Sequence, residues 1–153
     1  MTEERTGTIF EELRRDHDRQ RKLIHGLVET IGDSDERADL FALLKEQLDA
    51  HSKAEERYFY RALMASDLTQ DKARHSIHEH EQIDELLEKL ETYDRVAPAW
   101  LQTAEDLEHR LVHHLDEEEH QVFALAGKVL TDAEKTELAK KYRSLMASEG
   151  VSP

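Results

Sequence analysis

Apolar residues recur every three or four positions along most of the chain, which is the spacing of one face of an α-helix. The pattern predicts four long amphipathic helices with short polar connections, followed by one shorter helix. Such helices favour an all-α, antiparallel, up-down-up-down four-helix bundle over about 8–126, with a short extra C-terminal helix over about 131–147. We expect a single domain over 1–153, with a frayed tail at 148–153.

Local signals predict where several of these helices begin. Thr8 with Glu11, and Thr131 with Glu134, have the spacing of a capping box at the start of a helix. Pro98 is suited to the first turn of the fourth helix, where its missing N–H costs nothing. The predicted breaks between helices are 32–35, 66–71 and Gly127.

The predicted inward face of each long helix is largely apolar. Its apolar members are Phe10, Leu13, Ile24, Leu27 and Ile31; then Phe41, Leu44, Leu48, Tyr58 and Ala62; then Ala73, Ile77, Ile83, Leu87 and Leu90; then Trp100, Ala104, Leu107, Leu111, Val122 and Leu125. Histidine interrupts all four stripes, and in two of them glutamate follows one helical turn later. The interrupting residues are His17, His51, Glu55, His80, His114 and Glu118.

The interruptions are regularly spaced along the chain. His17 precedes His51 by 34 residues, and His80 precedes His114 by the same 34. Equal spans in antiparallel helix pairs place the marked residues at similar heights in a bundle. We therefore expect all six side chains to converge on one layer of the core.

A buried layer of imidazoles and carboxylates needs compensating positive charge, because an unpaired carboxylate in an apolar core is costly. A pair of divalent or trivalent metal ions supplies that charge, and this ligand mixture suits Fe, Mn or Zn more than Ca or Mg. Two bridging carboxylates, four imidazoles and an oxo or hydroxo bridge would give each metal five ligands. One position per metal would remain open to a small ligand.

The order His, His-x-x-x-Glu, His, His-x-x-x-Glu on four successive helices resembles the hemerythrin-like (HHE cation-binding) domain, from about Thr8 to Leu125. The resemblance implies a non-haem diiron centre in a four-helix bundle, with Glu55 and Glu118 as bridging carboxylates. It implies the following terminal ligands: His17, His51, His80 and His114.

The chain departs from the oxygen-carrying hemerythrins on two helices. Those proteins have His-x-x-x-His on the third helix, whereas Ser76 stands four residues before His80 here. They have His-x-x-x-x-Asp on the fourth helix, whereas Glu118 follows His114 by four. A fifth histidine is therefore missing, which argues against reversible oxygen carriage. The ligand set is closer to bacterial iron-cluster-repair proteins and iron-sensing members, but the Cys-containing segment of the repair proteins has no counterpart in a chain without cysteine.

Other polar residues near the predicted layer leave alternatives open. His113 with Glu117 has the same spacing as His114 with Glu118, although the apolar stripe favours the second pair. Tyr58 is either a core aromatic or a hydrogen-bond donor to a metal-bound ligand. Glu56 and Glu119 are either solvated or support the ligands, and His25 has the same two alternatives. The remaining histidines are expected on the surface: His75, His78, His109 and His120.

Composition restricts the functional classes. With 35 acidic and 21 basic residues, the formal charge of −14 argues against nucleic-acid and anionic-membrane partners. Residues 1–5 contain no apolar run, so no signal peptide is expected, and we predict a cytoplasmic monomer or homodimer.

The sequence thus predicts a diiron protein that binds or reacts with O2, H2O2 or NO. Whether it is an enzyme is left open, with a diiron oxidoreductase preferred. One alternative is an iron or oxygen sensor, or an iron-handling module, without turnover. Another is a bundle that binds a different metal, or none, and acts through protein contacts.

Overall fold

The computed structural model describes residues 7–151, and the regular elements in that part of the chain are all helical. The α-helices are α1 (Ile9–Val28), α2 (Asp35–Ala54), α3 (Arg61–Leu63), α4 (Gln70–Thr92), α5 (Pro98–Glu117), α6 (Phe123–Val129) and α7 (Asp132–Ser148). The expectations for residues 1–5 and 152–153 lie outside the described residues.

Two of the long helices contain a π-helical segment. The chain passes from α2 to α3 through Glu55–Tyr60, and from α5 to α6 through Glu118–Val122. The backbone stays helical at both junctions. Helices α2 and α3 and the segment between them therefore form one continuous helix, and so do α5, α6 and the segment between them. A π-helical turn hydrogen-bonds from i to i+5 and therefore rotates the following residues relative to an α-helix.

The four long helices pack as the predicted bundle. Helix α1 lies against α2 and α5, and α4 lies against α5. Helix α7 packs against α1, α2 and the Glu55–Tyr60 segment. None of the helices in residues 7–151 combines the length and the apolarity needed to cross a bilayer.

Both predicted capping boxes are confirmed. The side chain of Thr8 accepts from the N–H of Glu11 while the Glu11 carboxylate accepts from the N–H of Thr8, and Thr131 and Glu134 do the same for α7. Pro98 is the first residue of α5, as predicted.

The predicted ends near the C-terminus were wrong. Gly127 does not end the fourth helix, because the backbone stays helical to Val129 and leaves the helix only at Leu130. The tail is anchored beyond α7: Gly150 adopts a φ of +84°, and the N–H of Val151 donates to the carbonyl of Met146. This left-handed turn returns Val151 to the core, where it is buried.

Two apolar clusters fill the bundle. One surrounds Leu13, Ala54, Phe59 and Phe123 and includes side chains of α7. The other is centred on residues including Ile24, Leu48, Leu87, Trp100 and Leu111. The predicted His and Glu positions lie along their helices between the residues of these two clusters.

The π segments correct the predicted stripes. Tyr58 and Ala62 are only partly buried, while their neighbours Phe59 and Leu63 are fully buried. Leu125 is likewise only partly buried, while its neighbour Ala126 is fully buried. An α-helical period carried past Glu55 or Glu118 is out of register with a π turn. Ile31 was also wrong, since it lies beyond the end of α1 and is 85% exposed.

Candidate metal centre

The structure brings all six predicted residues into one buried layer. Each is at most 3% exposed: His17, His51, Glu55, His80, His114 and Glu118. Their ligand-type atoms form two groups that share the Glu55 carboxylate. One contains His17, His51, Glu55 and Glu118, and the other contains Glu55, His80 and His114. Within each group the atoms lie within 4.8 Å of one another.

The carboxylate of Glu55 faces three imidazoles. Its Oε1 lies 3.2 Å from Nε2 of His51 and 3.1 Å from Nε2 of His80. Its Oε2 lies 4.0 Å from Nε2 of His17. Glu55 begins a π segment, and His51 is one turn before it, so the two side chains share a face.

Glu118 occupies the matching position on the other long helix. Its Oε1 lies 3.2 Å from Nε2 of His17, and its Oε2 lies 3.9 Å from Nε2 of His114. Like Glu55, it is the first residue of a π segment. Short π segments are frequent at functional sites.

Each of the four histidines is held from outside through Nδ1. These contacts are His17 with Glu119 at 2.7 Å, His51 with the Tyr142 hydroxyl at 2.6 Å, His80 with Glu56 at 2.7 Å and His114 with Glu79 at 2.6 Å. A carboxylate or phenol oxygen accepting from Nδ1–H leaves the lone pair on Nε2, which points into the layer. Metal-binding histidines are commonly oriented in this way.

Five of the inward-facing atoms have no hydrogen-bond partner among residues 7–151. Nε2 of His17, His51 and His114 is buried without one, and so are Oε2 of Glu55 and Oε1 of Glu118. Buried polar atoms without partners are costly and uncommon. Five converging acceptors are satisfied by cations, so the residues present fit a metal centre.

Sequence reasoning missed Tyr60, which lies within the layer. Its hydroxyl donates to Oε2 of Glu118, and it lies 2.8 Å from Oε1 of Glu55 and 3.4 Å from Nε2 of His80. The α-helical period puts position 60 off the inward stripe, whereas the π segment turns it inward. Burial and the charges of Glu118 and Glu55 raise the pKa of Tyr60 well above its usual value.

Tyr142 and Asp16 were missed as well. The Tyr142 hydroxyl accepts from His51 and donates to the carboxylate of Asp16. Arg143 adds an ion pair with Asp16 at 3.5 Å and a 2.8 Å hydrogen bond to Glu12. Asp16 directly precedes His17 in the sequence, but its partner on α7 cannot be read from that adjacency.

The pKa values of the two central carboxylates are shifted in opposite directions in the metal-free protein. Burial opposes ionisation of Glu55, but the charge of His51 and contacts with its neighbours hold its pKa well below the usual value. Burial and the charge of Glu55 raise the pKa of Glu118. Ionisation of one carboxylate therefore makes ionisation of the other less favourable.

Two of the imidazoles are easily protonated when no metal is bound. Burial opposes the charge on His17, but contacts with Glu118 and Glu119 raise its pKa to about 9. The pKa of His80 is raised to about 10, because contacts with Glu55 and Glu56 outweigh the effect of its burial. Metal ions at Nε2 must displace these protons.

The alternatives at neighbouring positions separate clearly. His113 has a side chain that is 67% exposed and pairs with Glu117 outside the layer. Glu56 and Glu119 contact His80 and His17 from outside the layer, and His25 is exposed and bonded to Glu108 on α5. The remaining four histidines are exposed: His75, His78, His109 and His120.

An all-helical bundle with a buried layer of four histidines and two glutamates defines a cation-binding bundle. The family model of the hemerythrin HHE cation-binding domain matches residues 8–126, and the chain belongs to this family. The fold is similar to the crystal structure of a hemerythrin HHE cation-binding domain-containing protein from Mycobacterium kansasii. That similarity has a TM-score of 0.81 and 28% identity, and it covers 93% of this chain and 86% of that one. A search of curated proteins found no match.

Proposed function

We propose that the layer holds two iron ions joined by an oxo or hydroxo bridge, and that O2, H2O2 or NO binds or reacts there. The observation that carries this proposal is a set of buried, converging Nε2 and carboxylate oxygen atoms that have no hydrogen-bond partner in the part of the chain that the structure describes. The family supports cation binding; iron and its reactivity are our inference from the ligand types.

Each side chain has a role that its position suggests. Glu55 belongs to both groups of ligand-type atoms. Glu118 lies near His17 of one group and His114 of the other. Both positions suit bridging carboxylates. The four histidines would be terminal ligands through Nε2: His17, His51, His80 and His114. Bound iron would supply redox electrons and an open coordination position for a small ligand.

Tyr60 holds a proton beside the reacting centre. Its hydroxyl reaches oxygens of both Glu55 and Glu118, so it is placed to hold or give a hydrogen bond in the layer. The adjoining apolar clusters exclude bulk water, which strengthens such polar interactions.

The oxygen-carrying hemerythrins have a fifth histidine where this chain has Ser76, and this difference supports a reaction at the centre over reversible oxygen carriage. Ser76, four residues before His80, is buried. Its hydroxyl-bearing side chain is too short to replace an imidazole at that position. One fewer nitrogen ligand leaves more room for an incoming small molecule.

A sensor or iron-handling role is the second candidate, and a specific contact favours it. Tyr142 on α7 bonds directly to the predicted ligand His51. A change in metal occupancy at His51 would therefore reach α7, which lies outside the family-matched residues 8–126. In that case the packing of α7 would change without turnover.

Iron-loaded protein separates these candidates. We expect iron-loaded wild-type protein to consume peroxide faster than free iron does, or to give an NO adduct that electron paramagnetic resonance detects. The matched control is His78→Ala, which removes an exposed histidine on α4 and should react like wild type. Full iron loading without any reaction, together with altered hydrogen exchange in α7, would instead support the sensor.

A further inference from the structure

A second cluster of potential metal ligands lies on the outside of the bundle, between α4 and α5. It contains His75 and Glu79, one turn apart on α4, and Glu117 at the end of α5. Nε2 of His75 lies 3.4 Å from Oε2 of Glu79 and 3.3 Å from Oε1 of Glu117. One ligand-type atom from each residue falls within 4.8 Å of the others.

These separations suit metal ligands better than direct hydrogen bonds. N–H···O bonds have a usual length of about 2.7–3.2 Å. Two atoms that each lie about 2.1 Å from a tetrahedral Zn²⁺ ion are about 3.4 Å apart. The two distances from Nε2 of His75 to the carboxylate oxygens are therefore close to the spacing that a common ion would impose.

The charge of the cluster also favours a cation. Glu79 and Glu117 have histidines as their ion-pair partners: His75, His113 and His114. Both carboxylates face the same imidazole, on a chain with a formal charge of −14. A divalent ion neutralises that pair, and two oxygens with one imidazole suit Zn²⁺ or a similar transition metal.

Glu79 is held in position by a contact with the buried layer, and Glu117 lies close to a second exposed histidine. Oε1 of Glu79 accepts from Nδ1 of His114 at 2.6 Å, which leaves Oε2 directed at His75. Oε2 of Glu117 lies 3.3 Å from Nε2 of His113, while its Oε1 faces His75. The side chain of His75 is 52% exposed, so an ion has direct access from solvent.

We propose that His75, Glu79 and Glu117 form a second, surface site for one divalent transition-metal ion, with Zn²⁺ as its probe. His75 Nε2, Glu79 Oε2 and Glu117 Oε1 are the protein ligands, and water completes the tetrahedron. The site does not depend on the diiron proposal, because its three ligands are outside the buried set of six.

The test counts the zinc ions bound by wild-type protein and by two single variants, using competition with a chromophoric chelator. His75→Ala should bind one zinc ion fewer per chain than wild type. His78→Ala, an exposed histidine on the same helix, should bind as many as wild type. Equal zinc counts for wild type and His75→Ala would overturn the proposal, and so would an equal loss in both variants.

A variant that lacks the central carboxylates of the buried layer distinguishes zinc bound at the surface site from zinc bound in the layer. In the double variant Glu55→Ala with Glu118→Ala, the bridging carboxylates of the layer are gone, and one zinc ion should remain. Adding Glu117→Gln should remove it, with helical content checked by circular dichroism. A zinc ion that survives Glu117→Gln and His75→Ala would contradict the ligand set. If the double variant does not fold, the comparison of the single variants still decides the question.

Discussion

The hydroxyl of Tyr142 lies 2.6 Å from Nδ1 of His51, although 91 residues separate the two in the chain. This contact joins α7 to the buried layer of the bundle. The same hydroxyl donates to Asp16 on α1, so three elements meet at one phenol oxygen. Helix α7 therefore supports the candidate metal centre.

Replacing Tyr142 by Phe should weaken both the fold and the metal site. The change leaves the buried Asp16 without its phenol donor and Nδ1 of His51 without its acceptor, at a cost of about 1–3 kcal/mol. Loss of a group that orients a ligand usually lowers metal affinity by about 10–100-fold. Urea denaturation and iron retention against a chelator measure the two effects. Tyr93→Phe, at an exposed tyrosine, is the control and should change neither.

Removing both central carboxylates should abolish iron binding by the buried layer and leave the bundle helical. Glu55→Ala with Glu118→Ala deletes the two groups that face the imidazoles, while both apolar clusters remain. We expect iron content to fall from about two per chain to background, with the helical circular dichroism signal preserved. Full iron loading of the folded double variant would refute the ligand set.

Replacing His114 on α5 should remove iron from the layer, whereas replacing its neighbour His113 should not. His114→Ala removes a buried imidazole held by Glu79 and should lose metal, whereas His113→Ala changes an exposed side chain and should keep the iron in the layer. Iron content of the two purified variants measures this. The reverse result would move the ligand assignment on this helix by one residue.

Tyr60→Phe should change the reaction more than the metal content. The variant keeps the ring in the core and removes the hydroxyl beside Glu55 and Glu118. A positioned proton donor contributes about 100-fold or more to rates that need one. We expect iron loading near that of wild type and a peroxide rate lower by at least about tenfold. An unchanged rate would show that this hydroxyl takes no part in the reaction.

The metal-free protein should lose stability as pH rises. Despite burial, neighbouring carboxylates raise the folded-state pKa of His17 to about 9 and of His80 to about 10, above the ordinary value of 6.5. The folded state thus holds protons that the unfolded chain releases near pH 6.5. Their contribution to the free energy of unfolding is complete below that pH and is lost as pH rises through 9 to 10.

Iron-loaded protein should lack this decline, because the metal occupies Nε2 of both histidines. Urea denaturation of the two forms between pH 6.5 and 10 makes the comparison. A metal-free form whose stability stays level or rises across that window would contradict the assignment.

The sequence was sufficient to predict the bundle and to select the six residues of the layer. Capping boxes at Thr8 and Thr131 are local signals, and the apolar period is interrupted where His and Glu are buried. These features depend on nearby residues, so they can be read without a structure.

The π segments and the tyrosines could not be predicted in the same way. A π turn begins at Glu55 through a shift of backbone hydrogen bonds, which the apolar period does not record. That shift turns Tyr60 inward and Tyr58 partly outward. Contacts between distant elements, such as Tyr142 with His51, depend on how the helices pack. Glu79 adjoins His80 in sequence but binds His114 for the same reason.

The diiron centre is tested most directly by the metal content of the protein, measured by elemental mass spectrometry on tag-free protein produced with adequate iron. We expect about two irons per chain, held by the buried layer. Little or no iron, even after anaerobic reconstitution with ferrous iron, would contradict the diiron centre.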